Sequence, residues 1–117
     1  MQLKMSNRVV DGVLIIDCAG RLVFGEESAS LRDTVKQHLL EKKKLVLNLS
    51  GISFIDSGGL GTLVALYTTA RNNDGHIKLA NLPKRVDDLL HVTKLVTIFE
   101  VYDNEQQAVD AHKNPAA

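Results

Sequence analysis

The sequence predicts an α/β sandwich with elements in the order ββαβαβαβα, on two observations. First, apolar runs suited to strands alternate with segments whose apolar residues recur at helical spacing, as in sheets whose strands are joined by crossover helices. Second, Leu45–Leu49 is apolar almost throughout, which is typical of a central parallel strand buried on both faces. Because the chain also begins with a hairpin, we predict a mixed, mostly parallel sheet.

The opening hairpin is predicted from two strand-like segments and the turn between them. Leu3–Val10 forms the first strand and Val13–Ala19 a strongly apolar second strand. Asp11 and Gly12, which separate them, suit a tight hairpin turn.

The first helix is predicted to begin at Glu26 and Glu27 and to end in the run at residues 41–44. Negative charge favours a helix N-terminus and positive charge a C-terminus, and this segment has both. Its apolar face is formed by Leu31, Val35, His38 and Leu39.

A strand, a tight turn and a helix are predicted within Leu45–Arg71. The apolar run breaks at Asp56–Gly59 and helical spacing then resumes at Leu60. This pattern places Ser57 at or just before a helix N-terminus. Free backbone N–H groups and the helix dipole favour negative charge there, so a phosphate on Ser57 would be locally stabilised.

The rest of the chain continues the alternation of strands and helices. The predicted elements are a strand at His76–Asn81, a helix with Pro83 in its first turn, a strand at Ile98–Tyr102 and a last helix capped by Asp103 with Gln106 three residues later. The final residues, 114–117, are predicted to fray.

Composition favours one domain over residues 1–117 and argues against several classes of partner. Fourteen basic residues balance fourteen acidic ones, so no positive field points to nucleic acid or to a membrane surface. The single cysteine, Cys18, cannot form an internal disulfide and is expected to be a small buried residue. Neither a secretory signal nor a membrane-spanning run is apparent, which favours a cytoplasmic protein.

Common catalytic motifs do not fit the turn at Ser57. Gly59 and Gly61 match two glycines of a dinucleotide-binding fingerprint, but Val64 stands at the third position. No P-loop spacing occurs, and Ile55 stands where the nucleophile elbow of a hydrolase needs glycine. The histidines are scattered over different elements without metal-ligand spacing, so no metal or cofactor is expected. A response-regulator receiver ranks low, because its paired acids after the first strand are missing.

The turn and its flanks resemble the signature of the STAS domain of bacterial anti-sigma factor antagonists, in the segment VLNLSGISFIDSGGLGTLV. The similarity extends to a GRL segment before the first helix, to IKLANLPKRVDDLLHVTKL and to FEVYDNEQQAV, and so covers nearly the whole chain. It implies a STAS-like (SpoIIAA-like) sandwich with helices packed mainly on one face of the sheet.

The resemblance also implies a function. The protein would bind an anti-sigma factor that is also a serine kinase, and so release a sigma factor. Phosphorylation of Ser57 by that kinase would switch the binding off, a serine phosphatase would be a further partner, and the protein itself would not be an enzyme. The expected partner-binding residues are Asp56, Ser57, Gly58, Gly59, Leu60, Gly61 and Phe24.

Other interpretations remain open at this stage. The protein could instead be a STAS subunit of another signalling or lipid-transport assembly, or a small nucleotide-binding domain that uses residues 57–61 as an anion cradle. A monomer or a weak dimer is expected, because an edge strand such as Leu3–Val10 or Ile98–Tyr102 could pair with another chain. Lys4, Arg8 and Glu100 discourage such pairing.

Individual residues also have structural alternatives. Ser57 or Asp56 would each make a good helix cap. Phe24 would be an apolar anchor for a partner if exposed, but a phenylalanine at a strand end is more often core, and burial is the favoured prediction. Ser53 is expected to be a partly buried strand residue.

Overall fold

The structure, a computed structural model, describes residues 3–113 as a single five-stranded sheet with four α-helices. The strands are β1 (Lys4–Val10), β2 (Val13–Leu22), β3 (Lys44–Ile55), β4 (His76–Ala80) and β5 (Glu100–Tyr102). The helices are α1 (Glu26–Leu39), α2 (Ser57–Asn72), α3 (Lys84–Val92) and α4 (Glu105–Lys113), with a short 3₁₀ helix at Leu95–Thr97. The predicted order of elements is confirmed.

The strands lie in the sheet in their order along the chain, β1-β2-β3-β4-β5. β1 pairs antiparallel with β2 through the hairpin at Asp11 and Gly12, and the other neighbours pair in parallel. β3 is therefore central, and the burial of Leu45, Val46 and Leu47 in succession confirms that this strand is covered on both faces. β1 and β5 are the edges.

Two apolar cores lie on opposite faces of the sheet. The larger one joins the sheet to α1, α2 and α3, with Leu31, Leu63 and Leu90 among its buried members. The smaller one lies under α4, where Ala108 and Val109 pack with buried residues of β2, β3 and β4. The prediction that most helices pack on one face is confirmed.

The central strands are longer than predicted. β2 continues past Ala19 to Leu22, and β3 continues past Leu49 to Ile55. Their pairing passes through two register shifts, between Asp17 and Ala19 and between Gly20 and Arg21, which obscure the alternation in the sequence.

Ser53 lies within the added part of β3 and is exposed, so the prediction of partial burial is wrong. Its hydroxyl donates to the Gly20 carbonyl at 3.1 Å.

Several helix and strand ends also differ from prediction. α1 ends at Leu39, before the basic run, β4 ends at Ala80, and β5 is confined to three residues after the 3₁₀ helix. Asn104, not Asp103, lies at the start of α4, where its side chain accepts from the Gln107 N–H at 2.9 Å. The predicted fraying at residues 114–117 lies outside the described residues.

Cys18 is buried as predicted, and burial raises the pKa of its thiol to about 12. Among residues 3–113, no helix is both long and apolar enough to cross a membrane.

Candidate functional site

Ser57 lies at the carboxyl edge of the sheet, where β3 ends and α2 begins. It is the first residue of α2 and is exposed, so the prediction that it stands at a helix N-terminus is confirmed. The end of β2 reaches the same edge, because the Asp56 N–H donates to the Leu22 carbonyl at 3.3 Å. The loop after β2 therefore lies beside Ser57.

Asp56 is the N-cap of α2. Its backbone is extended, and its Oδ1 accepts from the Gly59 N–H at 2.8 Å. Hydrogen bonds from the backbone of Gly59 and then of Phe24 lower the pKa of this carboxyl group, so it is ionised at neutral pH. The alternative that Ser57 serves as the cap is wrong.

The same carboxylate also holds the β2–α1 loop. The Phe24 N–H donates to Asp56 at 3.1 Å to Oδ1 and 3.2 Å to Oδ2. One side chain thus fixes the start of α2 and the position of the loop that faces it.

Phe24 is 82% exposed, so the favoured prediction of a core residue is wrong. Leu22 already fills the core at the end of β2, and the chain turns outward after it. The Val23 carbonyl is held by the Ser28 hydroxyl at 2.7 Å, and Gly25 adopts a φ of 107° that suits glycine. These contacts leave the Phe24 ring on the surface.

The glycines after Ser57 have different surroundings. A Cβ at Gly59 would lie 2.1 Å from the Leu22 carbonyl oxygen, and one at Gly58 would lie 2.6 Å from the Cβ of Phe24. Gly59 therefore lets the end of β2 pack against α2, and Gly58 lets the β2–α1 loop do so. Of the three glycines after Ser57, Gly61 alone has open space beside it and so leaves room for an approaching partner.

A groove between α1 and α2 begins at Phe24. It has a volume of about 420 Å³ and is lined by Phe24, Gly25, Ser28, Arg32, Gly58, Gly61, Thr62 and Ala65. Arg32 was not singled out in the sequence, because a lone arginine on a helix gives no signal before the groove is known. Leu60, predicted to bind a partner, is only 7% exposed and belongs to the large core.

No group of three or more His, Cys, Asp or Glu side chains in residues 3–113 is placed to hold a metal ion. The buried histidine, His112, lies in α4, where its Nε2 is hydrogen-bonded to the Leu45 carbonyl at 2.8 Å.

Comparison with known proteins identifies the class to which this fold and site belong. The family model described as the STAS domain matches residues 4–108, and the chain belongs to this family. The anti-sigma F factor antagonist of Paenibacillus polymyxa is 28% identical over 111 residues, which are 93% of this chain and 92% of that protein.

Solved structures agree with this family. The crystal structure of a candidate anti-sigma factor antagonist from Thermotoga maritima has a TM-score of 0.82 at 26% identity, covering 91% of this chain and 92% of the other. SpoIIAA in its unphosphorylated form has a TM-score of 0.71 at 16% identity, covering 94% and 98%. A structure of Bacillus SpoIIAA in its phosphorylated form has a TM-score of 0.68 at 17% identity, covering 92% of this chain and 97% of the other. The fold is thus that of SpoIIAA-like STAS domains.

Proposed function

We propose that the protein is a cytoplasmic anti-sigma factor antagonist that binds an anti-sigma factor serine kinase, and that phosphorylation of Ser57 ends this binding. The observation that carries the proposal is the exposure of Ser57 at the first position of α2. Its neighbours on either side are Asp56, whose carboxylate caps the helix, and Gly58, which contacts Phe24. The relatives named as anti-sigma factor antagonists support the class of partner.

The unmodified surface suits close contact with another protein. Phe24 has an exposed aromatic ring, and the open space beside Gly61 leaves room for a partner's backbone. Arg32 in the same groove provides a positive group for a carboxylate of the partner. Leu60 and Gly59 act from below this surface by holding α2 against the sheet, not by direct contact.

A phosphate would change the charge of this surface. It adds about −1.5 to −2 charges at pH 7. Since the neighbouring Asp56 is already ionised and its Oδ1 already accepts from the Gly59 N–H, the new charge lies beside an existing one. A partner that packs closely around Ser57 would have to desolvate both charges, and binding should weaken.

The same arrangement disfavours a nucleotide cradle. An anion site at the start of α2 needs free N–H groups, and the carboxylate of Asp56 occupies that of Gly59. Among the side-chain hydrogen bonds of residues 3–113, those of the histidines are made by His38 and His112 and neither involves Ser57, in line with a regulatory role. A serine phosphatase would restore the unmodified state.

Incubation with the cognate kinase and ATP, followed by peptide mass spectrometry, tests the modification. We expect one phosphate, on Ser57, and none on the exposed Ser53 of the same edge. Binding of the anti-sigma factor should be retained by Ser57→Ala and reduced at least tenfold by Ser57→Asp.

Ser53→Asp is the matched control, since it adds the same charge four residues earlier in the chain. Equal binding by Ser57→Asp and wild type, or equal weakening by the two aspartate variants, would contradict the proposed switch.

A further inference from the structure

The guanidinium groups of two arginines lie near the same aromatic ring at the carboxyl ends of the central strands. The guanidinium carbon of Arg21, in β2, lies 5.3 Å from the centre of the Phe54 ring, and that of Arg85, in α3, lies 5.9 Å from it. Both arginines are exposed, and Phe54 is 36% exposed. Three separate elements therefore contribute to one positively charged patch with an apolar centre, here called the Arg21–Phe54–Arg85 surface.

This surface lies where the ends of β2 and β3 meet α3. Arg21 and Phe54 are paired neighbours in β2 and β3, and each precedes a residue, Leu22 or Ile55, that is buried in the large core. Because successive strand residues point to opposite faces, the side chains of Arg21 and Phe54 point away from the large core, and Arg85 reaches the Phe54 ring from α3. β3 stops pairing with β4 at Asn48, so this end of the sheet extends beyond the small core.

The charges of this surface are not neutralised within the described chain. The ion pairs of residues 3–113 engage Arg8, Lys78, Lys84, His91 and Lys113, but neither Arg21 nor Arg85. Lys84, next to Arg85, is bound to Asp88 at 2.8 Å, so that carboxylate has its partner already. Stacking on Phe54 also holds the two guanidinium groups in place, which lowers the entropy lost when they bind a ligand.

We propose that the Arg21–Phe54–Arg85 surface docks an acidic segment of a partner protein, in which a carboxylate contacts the guanidinium groups and a neighbouring apolar side chain covers the Phe54 ring. Arginine offers paired N–H donors that match a carboxylate, and an exposed aromatic ring between two such groups supplies apolar contact area. The free positive charge and the apolar centre together favour an acidic peptide over a simple anion.

This proposal concerns residues other than those of the proposed serine switch. The Arg21–Phe54–Arg85 surface includes neither Ser57 nor any residue that lines the groove between α1 and α2. Substitutions on this surface therefore leave Ser57 and the groove lining in place, and failure of either proposal can be told from failure of the other.

The test is an NMR titration of the full 117-residue chain with a blocked hexapeptide of alternating glutamate and leucine. We expect saturable shifts of the Arg21 and Arg85 side-chain N–H signals, weakened by added salt. A peptide with glutamine in place of glutamate should bind at least tenfold more weakly. The double variant Arg21→Gln/Arg85→Gln should lose at least tenfold in affinity, while Ser57→Ala should keep it.

Arg71→Gln is the matched control, because Arg71 lies 5.9 Å from the Tyr67 ring in an arginine–aromatic pair elsewhere on the protein. Equal loss in Arg71→Gln and the double variant would overturn the proposal. So would shifts of the same two signals by inorganic phosphate at the same concentration, or tighter binding of duplex DNA or anionic vesicles than of the peptide.

Discussion

At the scale of single residues, the three glycines after Ser57 have different surroundings and therefore different roles. Gly58 faces Phe24 of the β2–α1 loop and Gly59 faces Leu22 at the end of β2, both at distances that admit no Cβ, whereas Gly61 faces open space. The turn is therefore glycine-rich chiefly because two elements approach closely there. The family resemblance implies that all three bind a partner, and of the three Gly61 alone has the space for that role.

This difference predicts opposite effects of the same substitution. Gly59→Ala should lower the free energy of unfolding by about 1–3 kcal/mol, because its Cβ must displace the Leu22 carbonyl. Gly61→Ala should raise it by up to about 1 kcal/mol, since alanine stabilises a helix interior and meets no neighbour. Urea unfolding followed by circular dichroism measures both. Equal effects of the two substitutions would refute the close packing of Leu22, at the end of β2, against Gly59.

At the scale of elements, local patterns predicted which helices and strands exist but not where β2 and β3 end. Apolar spacing is local, so it identified the order of elements and the start of α2 at Ser57. The ends of β2 and β3 depend on pairing through two register shifts, which no spacing within one strand can show. Asp56 was predicted as a possible cap, whereas its bond to the Phe24 N–H, 32 residues away, required the folded chain.

The exposure of Phe24 could not be predicted for a related reason. A phenylalanine after a strand is usually buried, but here Leu22 takes the core position and the Val23 carbonyl is bound by Ser28. The site therefore combines a serine whose place is set by local sequence with an aromatic ring whose place is set by tertiary contacts.

Asp56 links the two elements of this site, which predicts a coupled effect of its removal. Asp56→Ala should destabilise the protein and speed amide exchange at both Gly59 and Phe24, because both N–H groups lose their acceptor. Asp56→Asn should change both far less, since asparagine caps helices equally well. Native-state hydrogen exchange by NMR measures the two amides separately.

Asp103→Ala is the control, because the Asp103 side chain caps no helix in the structure although the sequence predicted that it would. Faster exchange at Gly59 alone in Asp56→Ala would show that the loop is held without this carboxylate.

At the scale of the whole molecule, α4 closes the face of the sheet opposite the other three helices. Its small apolar core is completed by His112, which is only 3% exposed and whose Nε2 bonds the Leu45 carbonyl at 2.8 Å. Burial lowers the pKa of His112 from 6.5 to about 4, with the hydrogen bond to the Leu45 carbonyl opposing this shift and the nearby Lys78 adding to it. The imidazole is therefore neutral in the folded protein at neutral pH, and its Nε2–H donates a hydrogen bond to the Leu45 carbonyl.

This lowered pKa predicts a loss of stability in mild acid. As the pH falls below 6.5, the unfolded chain binds a proton at His112 while the folded chain does not. The free energy of unfolding therefore decreases until the pH reaches about 4, where the folded chain binds the proton too. The free energy of unfolding should fall by about 1–3 kcal/mol across this range on account of His112. Unfolding in urea at pH 7, 6, 5 and 4 should show a smaller fall for His112→Gln than for wild type.

His91→Gln is the matched control, because His91 is exposed on α3 and faces Asp87 at 3.5 Å. Its pH profile should follow that of the wild type, since removing a surface histidine leaves the packing of α4 unchanged. A His112→Gln profile parallel to the wild type would mean that the packing of α4 on the sheet does not depend on the neutral imidazole. The acid sensitivity would then have to be assigned to the carboxylates, with the salt bridges of Asp17 and Glu105 to Arg8 as the first to examine.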